Sequence, residues 1–87
     1  MGYWIDFTPR AAKQLAKLPI PVRRRIRVRI DGPATDPRPP DVKKIVGVDH
    51  AWRIRVGETR VLYEVHDRVL TVLIIRVAHR RDVYDSL

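Results

Sequence analysis

The chain has 87 residues, of which 45% are hydrophobic, which suits one folded core and leaves no room for a second; a single domain over residues 1–87 is expected. No cysteine is present, so disulfides, thiolate metal sites and a cysteine nucleophile are excluded together. Eighteen basic residues against ten acidic ones give a net charge of +8, and fourteen of the eighteen are arginine.

Arginine keeps its charge at any ordinary pH and grips phosphate through paired hydrogen bonds. The bias therefore suits nucleic acid, an acidic protein, or both in turn. Genomic base composition also enriches arginine over lysine, so that preference alone decides nothing. His50, His66 and His79 lack metal-ligand spacing, and neither a metal nor another cofactor is called for. The start, Met-Gly-Tyr-Trp-Ile-Asp, has no basic segment leading into a long apolar run. The longest apolar stretch, Val72 to Ile75, is far short of a membrane span. A cytoplasmic protein without a membrane partner is the expectation.

Tyr3 to Phe7 alternates as a short opening strand, with Tyr3, Ile5 and Phe7 on one face. Thr8-Pro9 then starts a helix, threonine as N-cap and proline at the first helical position. Ala11, Leu15 and Leu18 share its apolar face, Arg10, Lys13 and Lys17 face water, and Pro19 ends it. Ile20-Pro21 reads as a tight connection to a second helix. Val22 to Ile30 fits two patterns. Ile26-Arg-Val-Arg-Ile30 alternates like a strand, whereas Val22, Ile26 and Ile30 share one helical face and leave Val28 on the polar side. The run Arg23-Arg24-Arg25 favours the helix. Asp31 to Pro40, with four prolines and a glycine, is expected to be loop.

A short strand is expected over Val42 to Val46, then a turn at Gly47 to Ala51. Trp52 to Val56 and Thr59 to His66 alternate with period two around Gly57-Glu58, a pair suited to a type II′ hairpin turn. That register sets Val56 against Thr59, Arg55 against Arg60 and Ile54 against Val61. One face carries Trp52, Ile54, Val56, Val61, Tyr63 and Val65 as core; the other carries Arg53, Arg55, Arg60, Leu62, Glu64 and His66. Like charges directly opposite repel, so an arginine pair so placed suggests a held anion, against the alternative of a solvated strand face. Asp67-Arg68 turns the chain again. Val69 to Ala78 is apolar on both faces, interrupted only by Arg76, and should lie near the middle of the sheet. His79 to Tyr84 leaves its end as a turn or short helix. The class is α+β: β-α-α, then antiparallel hairpins, giving about four strands with both helices on one face.

Several stretches together resemble a known family. They are the Tyr-x-Ile-x-Phe strand, the helix ending Leu15-Ala-Lys-Leu-Pro19, and the proline-rich Asp36-Pro-Arg-Pro-Pro40. Lys43-Lys44-Ile45 with Gly47, the Trp52-Arg-Ile-Arg-Val-Gly57 hairpin, Thr59-Arg-Val-Leu-Tyr-Glu64 and Val77-Ala-His-Arg-Arg-Asp-Val-Tyr84 complete the set. Essentially the whole chain is similar to the RelE-type toxins of bacterial toxin–antitoxin systems, in the RelE/ParE superfamily, whose fold is of the microbial-RNase type. The resemblance implies a ribosome-dependent endonuclease, an mRNA interferase that inhibits translation under stress. Such enzymes cut in the decoding site without metal, leaving a 2′,3′-cyclic phosphate and a 5′-hydroxyl. It also implies silencing by an acidic, RelB-like antitoxin, with operator DNA bound only through the toxin–antitoxin complex.

Carried over by the same resemblance, Arg60, His79, Arg80 and Tyr84 fall on catalytic positions, and Arg53 and Arg55 on the basic positions of the strand before the turn. With Arg53 and Arg55, Lys43, Lys44 and Arg81 are the expected RNA- or phosphate-binding residues. Arg53 and Arg55 stand where the best-known member has lysines, and Gly32-Pro33 is expected to cut the second helix short. Cleavage through the 2′-hydroxyl needs a base, charge stabilisation at the phosphate and an acid for the leaving oxygen. Arginine supplies only the second, because it stays protonated. His79, His66, Glu64 and Tyr84 remain for proton transfer, and His79 is preferred because histidine titrates near neutrality. Tyr84 would stack on a base or orient a proton. Glu64 serves either as base or as a partner balancing Arg53 or Arg55. The arginines of 23–29 read as a solvated helix face or as grips on ribosomal RNA phosphates. Two other readings are a ParE-type inhibitor of DNA gyrase and a catalytically inactive RNA-binding module that kept the fold.

Overall fold

Capping and proline chemistry set the first two helices. In this computed structural model, which describes residues 2–38, 42–45 and 51–79, Thr8 sits in extended backbone after strand β1 (Trp4–Phe7). Its hydroxyl accepts the Ala11 N–H at 3.1 Å, and helix α1 runs Pro9–Ala16. The helix closes on Lys17, two residues ahead of Pro19.

Helix α2 spans Ile20–Thr35 and differs from expectation at both ends. Ile20 and Pro21 form its first turn rather than a connection, because a proline there lacks only an N–H that would have no helical partner anyway. At the other end Gly32 and Pro33 do not cut the helix, and Asp31–Thr35 are helical rather than loop. Pro33 is fully buried, and the Asp36 N–H reaches the Gly32 carbonyl at 2.8 Å. The Ala34 carbonyl accepts from Tyr3 N–H, tying the same turn to the start of β1. Packing of this turn and its tie to β1 offset the bond lost at proline, which propensity alone does not foresee. Ile26 and Ile30 are buried and Val28 is 71% exposed, as one helical face requires.

The remaining strands are β2 (Lys43–Lys44), β3 (Ala51–Val56), β4 (Thr59–His66) and β5 (Thr71–His79). They form a five-stranded sheet in the order β1-β5-β4-β3-β2, one strand more than the expected four. Strand β2 is shorter than the expected Val42 to Val46, of which Val46 lies outside the described residues, as does the expected turn apart from Ala51, which opens β3. All pairings are antiparallel except β1 with β5, which is parallel. Strand β5 is an interior strand, as its apolar character predicts, but it starts at Thr71. Val69 and Leu70 belong to the preceding turn: Asp67–Val69 make a single 3-10 turn and Leu70 takes a left-handed φ of 48°.

The β3–β4 register is the predicted one, with Arg55 against Arg60 and Ile54 against Val61. Gly57 has φ 59°, whereas Glu58 keeps a negative φ, the signature of a II′ turn. Both helices cover one face of the sheet. The core there gathers Ala11, Leu15, Ile26 and Ile30 against Ile54, Val56, Val61, Tyr63, Val65, Val72, Ile74 and Val77. Each buried valine, leucine or isoleucine among them contributes roughly 1.5–3 kcal/mol relative to exposure. Trp52 packs at the rim, half-buried.

One irregularity matters for the other face. Leu62 pairs with Arg76, but the next β4 residue, Tyr63, pairs with Ile74, so Ile75 is the surplus residue of a β-bulge. Residues Asp36–Arg38 reach β4 and β3 from the helix side: the Tyr63 hydroxyl donates to the Pro37 carbonyl at 2.7 Å, and Arg38 lies 5.8 Å from the Trp52 ring centre.

Candidate nucleic-acid interface

Side chains directly opposite on neighbouring strands project to the same face, so the register lists the rows of the face turned away from the helices. One row is Arg55, Arg60 and Ala78. The next is Lys43, Arg53, Leu62 and Arg76. A third is Ala51, Glu64, Leu73 and Asp6, and the last is His66, Thr71 and Trp4. Two adjacent rows, about 7 Å apart, thus hold five basic groups and no acidic one. Among the paired strand residues described, the carboxylates of this face, Glu64 and Asp6, share the row behind them.

Within the basic rows Arg55 and Lys43 are exposed, and Arg53 and Arg76 are half-buried. Arg60 is only 7% exposed, the one charged side chain among the described residues that is buried. Leu62 and Ala78 are buried too and make an apolar floor between the cations. Like charges at Arg55–Arg60 and Lys43–Arg53 repel across the ladder, and an anion that bridges them converts repulsion into binding. Lys44 pairs with Trp52, the residue out of step with Arg53, and so falls on the other side of β2.

Glu64 is 2.8 Å from His66 (Oε1 to Nε2), so the partner seen for it is the histidine rather than an arginine. His79 ends β5 opposite Thr59, next to the Arg60–Ala78 pair. Arg80, Arg81 and Tyr84 lie outside the described residues. Arg76 was not legible as a site residue, because strict alternation along β5 would have sent it into the core. The signal was there in the spacing: apolar Val72 and Ile74 two apart, then Val77 three further on.

Around the hairpin turn the basic surface continues. A groove of about 550 Å³ is lined by Arg24, Arg25 and Arg29 of α2, with Val28 between them, and by Arg55 and Gly57. Arg55 joins groove to face. Chemically, the assembly can hold a polyanion and stabilise added charge on a phosphate, while proton transfer must come from other groups.

Comparison with known proteins fits this geometry. Residues 5–84 match the family described as ParE toxin of type II toxin-antitoxin system, parDE. The toxin RelE3 of Methanocaldococcus jannaschii is 34% identical over 83 residues, covering 91% of this chain and 92% of that one. This chain belongs to the RelE/ParE superfamily of toxins. Solved structures agree with that membership. RelE in the intact Escherichia coli RelBE toxin–antitoxin complex superposes with a TM-score of 0.82 at 28% identity, over 88% of this chain and 95% of that one. RelE in the archaeal RelE–RelB complex of Pyrococcus horikoshii gives 0.80 at 28%, over 92% and 97%. The RelE/ParE sheet is therefore the scaffold on which this toxin displays its arginines.

Proposed function

We propose that this toxin is a ribosome-dependent mRNA endonuclease that cuts by attack of the 2′-hydroxyl on the adjacent phosphate. The observation that supports this reading is the pair of basic rows, centred on buried Arg60, on the sheet face that the helices leave open. In the proposed reaction Arg60 and Arg80 neutralise charge building on the phosphate, and Arg53, Arg55, Lys43 and Arg81 hold the RNA, whereas Lys44, on the other side of β2, lies off this face. His79 transfers a proton, and Tyr84 stacks on a base or orients that proton. The 2′-hydroxyl gives up its proton to a base as its oxygen bonds to phosphorus. The bond from phosphorus to the 5′-oxygen breaks, and that oxygen takes up a proton to leave as a hydroxyl, so that a 2′,3′-cyclic phosphate results. The test is single-turnover incubation of purified toxin with programmed ribosomes, with mapping of transcript 5′ ends. Cyclic-phosphate and 5′-hydroxyl ends are expected; intact mRNA would overturn the reading.

A second reading, inhibition of DNA gyrase, is favoured by the name of the family model that residues 5–84 match. Supercoiling assays run beside the ribosome assay separate the two.

The proposed silencing partner is an acidic, RelB-like antitoxin, in keeping with the RelB chains bound to RelE in the E. coli and P. horikoshii complexes. With +8 net charge on the toxin, its binding should weaken steeply with salt. Titration of the neighbouring gene product at rising ionic strength checks this, and a basic or salt-indifferent partner would count against it.

A further inference from the structure

We propose that Arg76 is a further RNA-phosphate contact of the basic face, carried there by the bulge in β5 and held in place by Gln14; this rests on the reading of that face as an RNA cleft. Without the surplus residue, alternation from Val72 and Ile74 would direct Arg76 toward the helices and Val77 away from them. With Ile75 looped out, Val77 pairs with Val61 and enters the core, and Arg76 pairs with Leu62 on the arginine side.

The bulge is built rather than incidental. A bulge breaks the ladder and leaves backbone groups to be satisfied elsewhere. Here α1 and its cap reach backbone groups on either side of Arg76. The Gln14 side-chain oxygen accepts the Val77 N–H at 2.8 Å. The Thr8 hydroxyl donates to the Ile75 carbonyl at 3.4 Å, and the Thr8 N–H donates to the Ile74 carbonyl at 3.0 Å. Gln14 bonds to the residue directly after Arg76, so it fixes the strand's parity at that point. Arg76 then lies diagonal to Arg60, about 7–8 Å away between α-carbons, and flanks Leu62 opposite Arg53. That position suits a phosphate beside the one on Arg60, so Arg76 contributes mainly to holding RNA.

The competing explanation is that the bulge only keeps a charge out of the core, in which case RNA should not sense the side chain. The experiment compares full-length wild type, Arg76→Gln, Arg76→Lys, Gln14→Leu and Gln14→Glu. One arm is single-turnover cleavage on programmed ribosomes at several toxin and salt concentrations. The other is binding to a short single-stranded RNA by fluorescence anisotropy, with thermal midpoints as the folding control. Arg76→Gln should raise the half-saturating concentration roughly 10- to 100-fold, more than it slows the saturated rate. Its binding should lose about one unit of salt slope. Arg76→Lys should keep that slope. Gln14→Leu should weaken binding as Arg76→Gln does, and Gln14→Glu, which retains an acceptor oxygen, should restore it. Wild-type affinity and salt slope in Arg76→Gln would overturn the proposal, and wild-type behaviour of Gln14→Leu would overturn the positioning role. If wild type fails to cleave, the endonuclease reading falls, and the oligonucleotide slopes alone decide Arg76.

Discussion

Arg60 combines burial with a position opposite a second arginine, an arrangement that a phosphate held between the two would stabilise. A phosphate that gains charge in the transition state should draw most on such a preorganised group. Arg60→Ala should therefore slow single-turnover cleavage ~100- to 1,000-fold, well beyond its effect on ribosome binding. Loss of affinity alone would make the hairpin a docking surface. His79→Ala should slow cleavage roughly 100- to 10,000-fold and, unlike the arginine change, alter the pH profile. An unchanged profile transfers the proton to Tyr84 or Glu64. Tyr63 tests the scaffold instead. Its side chain is wholly buried and its hydroxyl serves the Pro37 carbonyl. Tyr63→Phe should cost about 1–3 kcal/mol in urea unfolding, because the carbonyl loses its donor.

At the scale of elements, glycine chemistry differs at two positions. Gly32 lies inside α2 directly before Pro33, where the proline ring crowds a Cβ on a helical residue, so the helix-propensity gain of Gly32→Ala should be largely offset and the change nearly neutral. Gly57 has φ 59°, and Gly57→Ala should destabilise by about 1–2 kcal/mol. Denaturation midpoints of the two variants check both expectations. The same elements show what a sequence makes legible. The α1 cap and the β3–β4 register follow from local rules, since Thr8-Pro9 and Gly57-Glu58 each carry their own geometry. The extent of α2 and the parity of β5 do not, because Pro33 is tolerated through burial and Ile75 is looped out through bonds from α1. Both depend on partners far along the chain. Of the candidate site, the hairpin arginines were readable from alternation, whereas Arg76 needed the bulge.

At the scale of the whole molecule, a clasp joins three distant parts of the chain. Asp67 receives the Tyr3 hydroxyl at 2.7 Å and the Arg38 guanidinium at 2.7 Å, linking the start of the chain, the loop after α2 and the β4–β5 turn. The hydrogen bond to Asp67, with burial and the carboxylate's charge adding to it, holds the Tyr3 phenol above its ordinary value of 10.0. A raised folded-state value means that its contribution is complete below about pH 10 and fades as pH climbs past it. The stability difference between wild type and Tyr3→Phe, measured by urea unfolding, should thus be constant from pH 7 to 9 and shrink above 10. A difference that grows with alkalinity would contradict the assignment. The parallel pairing of β1 with β5 has a consequence for biosynthesis. Thr8 and Ile75, bonded to one another, stand 67 residues apart. A nascent chain can form the β3–β4 hairpin early, and β1 can meet α2 through the Tyr3–Ala34 bond. The pairing of β1 with β5, however, must wait until β5 has emerged. The first strand therefore waits for the last: the sheet that carries the arginines closes only once β5 has been made.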